Sequence, residues 1–86
     1  ALDIDTRIRF YHLRGNISIA KDLPLQATTD YLHAAAISKD DTSVNVYLQK
    51  AFNASQKIFN SDAKADVETL EKLLDEFGKN NSTGLT

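Results

Sequence analysis

The chain of 86 residues contains no cysteine, methionine or tryptophan, one proline and three glycines. Without cysteine it has no disulfide, no thiolate metal site and no cysteine nucleophile. Gly15 is the only glycine ahead of Gly78, so no glycine-rich loop is available to cradle a phosphate. No apolar run approaches the roughly 20 residues that a membrane span needs. No charged start leads into an apolar leader, which favours a cytoplasmic chain without fixing the compartment. The first residue is Ala1, as expected of a processed chain or a piece of a longer one. A large excess of one charge is also missing. Ten basic and twelve acidic residues leave a net charge of −2, too little positive charge for a strongly basic nucleic-acid surface or one drawn to anionic lipid.

What is present is ordinary globular composition. Hydrophobic residues make up 42% and charged residues 26%, enough apolar surface to offset chain entropy. A chain of this size buries only about 60 to 65% of the surface its unfolded form exposes, so the core is thin. From Thr42 to Asn60, the residues Val44, Tyr47, Leu48, Ala51, Phe52, Ile58 and Phe59 recur at intervals of three and four, which predicts a helix capped by Asp41 or Thr42. A second stripe, Val67, Leu70, Leu74 and Phe77, predicts a helix from Asp62 to Phe77, with Ser61 or Asp62 as cap and Gly78 as a left-handed stop. Pro24 suits a first helical position, and Leu25, Thr28, Tyr31, Leu32, Ala35 and Ala36 form a mostly apolar face, so a helix is expected from Pro24 to Ser38. Residues 1–78 read as one helical domain and residues 79–86 as a flexible tail with nothing to bury.

The first twenty residues admit two readings. Ile8, Phe10 and His12 alternate with Arg7, Arg9 and Tyr11 and run into Gly15 and Asn16, a fair two-residue turn for a β-hairpin. Read as a helix, Ile8, Tyr11, Gly15, Ser18 and Ile19 make one stripe, with the glycine costing about 1 kcal/mol against alanine. The repeat pattern favours the helix. Tyr11, Gly15 four residues later, and then Ala27, Tyr31 and Ala34 stand at the spacing of a 34-residue helix–turn–helix unit running from Ile8 to Asp41. This stretch resembles a tetratricopeptide (TPR) repeat. Arg14, Ser18 and Lys39 depart from that pattern, and the second unit, from Thr42, is degenerate: Leu48 and Phe52 fit, Gln49 replaces a small residue, and the last stripe needs about two inserted residues to align. The resemblance implies an all-α fold of antiparallel helical hairpins, a TPR-like right-handed array of about four helices.

Chemistry by side chains finds little support. His12 and His33 stand 21 residues apart without metal-ligand spacing. The carboxylate pairs Asp40–Asp41 and Asp75–Glu76 lack an apolar pocket to separate their pKa values, and no serine sits in a nucleophile elbow. No catalytic residue, metal site or cofactor is therefore expected. The TPR resemblance instead implies an interaction module whose concave face carries Arg9, His12, Asn16 and Ile19 from one unit and Val46, Lys50 and Asn53 from the next. Arginine and lysine suit a carboxylate, asparagine a peptide backbone, isoleucine and valine apolar side chains, so the partner is a protein or peptide. Self-association or docking to neighbouring repeats is a further expectation. Two alternatives stay open: a small DNA-binding regulator with an N-terminal β-ribbon presenting Arg7, Arg9 and Tyr11, and a helical inhibitor or assembly subunit.

Overall fold

The computed structural model describes residues 3–81, with side chains through Gly78. Four helices follow one another: α1 (Ile4–Ala20), α2 (Pro24–Ile37), α3 (Asp41–Phe59) and α4 (Lys64–Asn81). No strand occurs among the described residues, so the all-α expectation holds. The β-ribbon alternative is overturned, because the residues of the proposed hairpin lie within α1 and Gly15 is buried inside it.

Each boundary has a local cause. Asp3 caps α1, its carboxylate accepting from the Thr6 N–H at 2.7 Å. At the other end Asp22 takes φ 60°. The Leu23 N–H then reaches back to the Ser18 carbonyl at 2.8 Å and the Asp22 N–H to the Ile19 carbonyl at 3.0 Å. That pair of bonds satisfies the last carbonyls of α1 and reverses the chain. Pro24 opens α2 as expected, in a turn without side-chain capping. The cap of α3 is Asp40, one residue before the expected position, accepting from the Ser43 N–H at 2.9 Å. Gly78 is no stop: α4 continues through it to Asn81, and no glycine among the described residues has positive φ. The remainder of the expected tail, residues 82–86, lies outside the described residues.

The core sits on α2. Ala27, Tyr31 and Leu32 pack with Ala51 and Ala54 of α3, and Ile19, Leu48, Leu73 and Phe77 close around them. α2 is the central helix, with broad contact to both α1 and α3, while α4 touches α2 and α3 over much less surface. Small residues bring the backbones close. A Cβ added to Gly15 would stand 2.6 Å from Cε1 of Tyr31, so the ring occupies the space a side chain would need. The buried Thr28 is satisfied within its own helix, donating to the Pro24 carbonyl at 2.8 Å.

Two expectations about burial are corrected. Phe52 and Phe59 belong to the apolar stripe read for α3, yet they are 56% and 50% exposed. α4 covers little of α3. Leu74, expected on the apolar stripe of α4, is itself 41% exposed. Leu70 is the only side chain of α4 that is fully buried among those described.

Candidate functional site

α1 and α3 flank α2 on the same side and leave a trough between them, floored by Tyr31. Helical spacing puts residues 9, 12, 16 and 19 on one face of α1, and residues 46, 50, 53 and 57 on one face of α3. Tyr31 itself is fixed from two directions. Its ring lies against Gly15, and its hydroxyl donates to Oδ1 of Asn16 at 2.6 Å. Burial holds the phenol above its ordinary pKa, with the Asp30 charge adding to the effect, so it remains a donor through the physiological range.

The seven residues expected to line a concave face divide into distinct parts of this trough. Ile19, Lys50 and Asn53 meet in one shallow pocket, joined there by Tyr31, Ala54 and Lys57. Nζ of Lys50 stands 5.9 Å from the centre of the Tyr31 ring, a cation–π approach at the edge of its effective range. Asn53 accepts from Nε2 of Gln49 at 3.1 Å, an anchor that leaves its own two N–H donors for another partner. Asn16 is held in the same way by the Tyr31 hydroxyl.

Arg9 lies at the opposite end, in a wide hollow with Ile8, Tyr47, Lys39, Asp3, Asp5 and Asp40. Two cations there are set against three carboxylates, so this end of the trough is mixed in sign. His12 stands between the two ends, its ring centre 5.2 Å from that of Tyr47 and 6.2 Å from that of Tyr31. Its Nε2 is buried without a hydrogen-bond partner. Burial lowers the His12 pKa below the ordinary histidine value, and the Lys50 charge lowers it further, so the ring is neutral at pH 7. Val46 is 45% exposed on the α3 rim, away from both pockets.

Three participants escaped the sequence reading. Tyr31 was read as core filling, which it is, but one face of its ring is also the floor of the trough. Lys57 continues the 46, 50, 53 spacing by one more turn, and that periodicity is the signal that identifies it. Tyr47, expected only on the apolar stripe of α3, meets the His12 ring edge to face.

Outside the trough, Arg14 forms an ion pair with Asp30. Its Nη2 and Nε approach Asp30 Oδ1 at 2.6 and 3.0 Å, and Nε also reaches Oδ2 at 3.1 Å. The guanidinium lies 5.1 Å from the Phe10 ring centre and 5.6 Å from that of Tyr11. The hydrogen bonds to Asp30 raise its already high pKa. Asp30 is 1% exposed, so this carboxylate is a structural group with its partner in place. No grouping of metal-ligating side chains occurs among the described residues, and none of the described helices is long and apolar enough to cross a membrane. The chain matches no family model, no curated protein and no solved structure among those compared with it.

Proposed function

We propose that this chain is a TPR-like interaction module that binds a peptide segment of its partner along the trough between α1 and α3, with an acidic side chain of the peptide at the Lys50–Lys57 end. The observation that carries this reading is the pocket of Ile19, Tyr31, Lys50, Asn53, Ala54 and Lys57. It sets two cations and a side-chain amide over an apolar floor, and no carboxylate of the described residues is paired with either lysine. A peptide carboxylate between Lys50 and Lys57 gains charge-assisted hydrogen bonds. An adjoining apolar side chain covers Tyr31 and Ile19, and the amides of Asn16 and Asn53 address the peptide backbone. The acid-bordered end around Arg9 suits a neutral or basic continuation of the peptide. The surface is short, so affinity for a single peptide falls in the micromolar range or weaker.

The test is fluorescence anisotropy with labelled peptides that place one aspartate or glutamate beside a leucine or phenylalanine. Replacing Lys50 and Lys57 together by alanine is expected to weaken binding by about tenfold, equivalent to 1.4 kcal/mol, while circular dichroism stays unchanged because exposed charges contribute little to stability. Replacing Arg9 is expected to have a smaller effect. Binding that is indifferent to both lysines rejects the assignment.

A further inference from the structure

The face of α1 turned away from α2 is apolar and uncovered. Phe10, Leu13 and Ile17 stand at i, i+3 and i+7 and are 51%, 61% and 46% exposed, forming one stripe on the side opposite the buried Gly15 and Ser18. Cations border it. On the helical wheel Arg7, Arg14 and Lys21 run along one edge and Arg9 along the other. Arg14 keeps its charge there while bonded to Asp30. Within α1 three arginines face a single aspartate.

The last helix is the electrostatic opposite, with five acids against three lysines. Its outward shoulder carries Val67, Glu71 and Leu74 at i, i+4 and i+7, and Leu74 is 41% exposed. Beside it is a hollow lined by Ser61, Asp62, Lys64, Val67, Glu68 and Glu71. α1 packs on α2 and shares no packed interface with α4, so one chain does not bring the two surfaces together.

We propose that copies of this chain associate head to tail, the apolar stripe of α1 in one copy seating on the acidic shoulder of α4 in the next. Charge selects this pairing. Two α1 stripes meeting antiparallel about a two-fold axis would set Arg14 against the second copy's Arg14 and Arg7 against its Lys21, and desolvated like charges oppose such a contact. The α1-to-α4 arrangement sets the edge of the stripe that carries Arg7, Arg14 and Lys21 along the side of α4 that carries Glu68 and Glu71, while Phe10, Leu13 and Ile17 cover Val67 and Leu74. Because the two faces differ, the contact leaves one free face of each kind at the ends, and association does not close at a dimer.

Sedimentation of the full chain from about 10 μM to about 1 mM tests the proposal. The weight-average mass is expected to rise with concentration past that of a dimer, and to fall when salt is raised. Two variants break opposite ends at exposed positions: Leu13→Glu on α1, and Glu68→Arg with Glu71→Arg on α4. Each alone is expected to remain monomeric with an unchanged circular dichroism spectrum. Mixed in equal amounts they are expected to form a one-to-one dimer, since each keeps the face that the other has lost. A wild-type chain that stays monomeric throughout, a Leu13→Glu variant that associates like wild type, or a mixture that forms no dimer overturns the proposal.

Discussion

The two hairpins have the same plan and are held together differently. In α1–α2 the contact is built from interlocked, directional parts: Gly15 receives the Tyr31 ring, the Tyr31 hydroxyl bonds Asn16, and Arg14 grips a buried Asp30 with a planar fork. In α3–α4 the contact is a short apolar seam to which α4 brings Leu70 as its one buried side chain among those described, while Phe52, Phe59 and Leu74 remain largely in water. The difference shows that apolar periodicity fixes which residues form helices but not how closely two helices approach. Close approach needs a place for the neighbour. Gly15 supplies one in the first hairpin, whereas Gly78 of α4 has no neighbouring atom within 4 Å of where a Cβ would stand.

This contrast can be broken most severely at Arg14. Arg14→Ala leaves the Asp30 carboxylate buried without its cation and is expected to cost about 3 kcal/mol. In a domain of this size that displaces the melting temperature by well over 10 °C, at roughly 4 to 8 °C for each kcal/mol. Arg14→Lys keeps the charge but loses the fork, and recovers only part of the loss. A variant that melts like wild type would mean that the pair is incidental to the hairpin.

Leu70→Ala tests the other half. It is expected to cost about 2 kcal/mol, the lower end for a buried leucine, because a helix held by so little can settle into the space. Amide hydrogen exchange is the sharper readout: α4 should exchange faster while the α1–α2 amides keep their protection. Loss of protection throughout the chain would show that the two hairpins are one cooperative unit. Gly15→Ala is expected to have a smaller net effect, about 1 kcal/mol, since crowding against Tyr31 opposes the intrinsic helical gain of alanine over glycine.

The smallest expected effect is a pH dependence at His12. Its folded pKa lies below that of the unfolded chain because burial and the Lys50 charge disfavour the imidazolium. The unfolded state therefore binds the proton more readily. The contribution of the neutral ring is complete above the ordinary histidine value of about 6.5 and is lost as pH falls through the folded value. His12→Gln should flatten the melting temperature between pH 7 and 5 relative to wild type, and an unchanged slope would place the titration elsewhere.

Much of the helical layout was legible because it depends on neighbours in sequence. Pro24 and the three-and-four spacing of apolar residues located the helices, and the spacing of Tyr11, Gly15, Ala27, Tyr31 and Ala34 put Gly15 inside a helix, where the Tyr31 ring lies against it. The exact ends were less legible. Asp22 turns the chain with a left-handed conformation that glycine usually supplies, and Asp40 won the cap from two adjacent candidates. The Arg14–Asp30 pair spans 16 residues, and no local pattern links its members. Of the candidate site, the positions on α1 and α3 came from the TPR resemblance, and Ile19, Lys50 and Asn53 among them line one pocket. The site's division into a cationic pocket and an acid-bordered end did not come from it, because that depends on how Asp3, Asp5 and Asp40 converge near Arg9.

The proposed peptide site lies where the interlocked hairpin meets α3, over the Tyr31 ring, and an amide chemical-shift titration with an acidic, leucine-containing peptide reads that surface residue by residue. Perturbations are expected to concentrate on Ile19, Tyr31, Lys50, Asn53 and Lys57, to saturate in the micromolar range or above, and to vanish in the Lys50→Ala, Lys57→Ala variant. Perturbations that concentrate instead on α4 around Glu68 and Glu71, or that persist unchanged in the double variant, would contradict it.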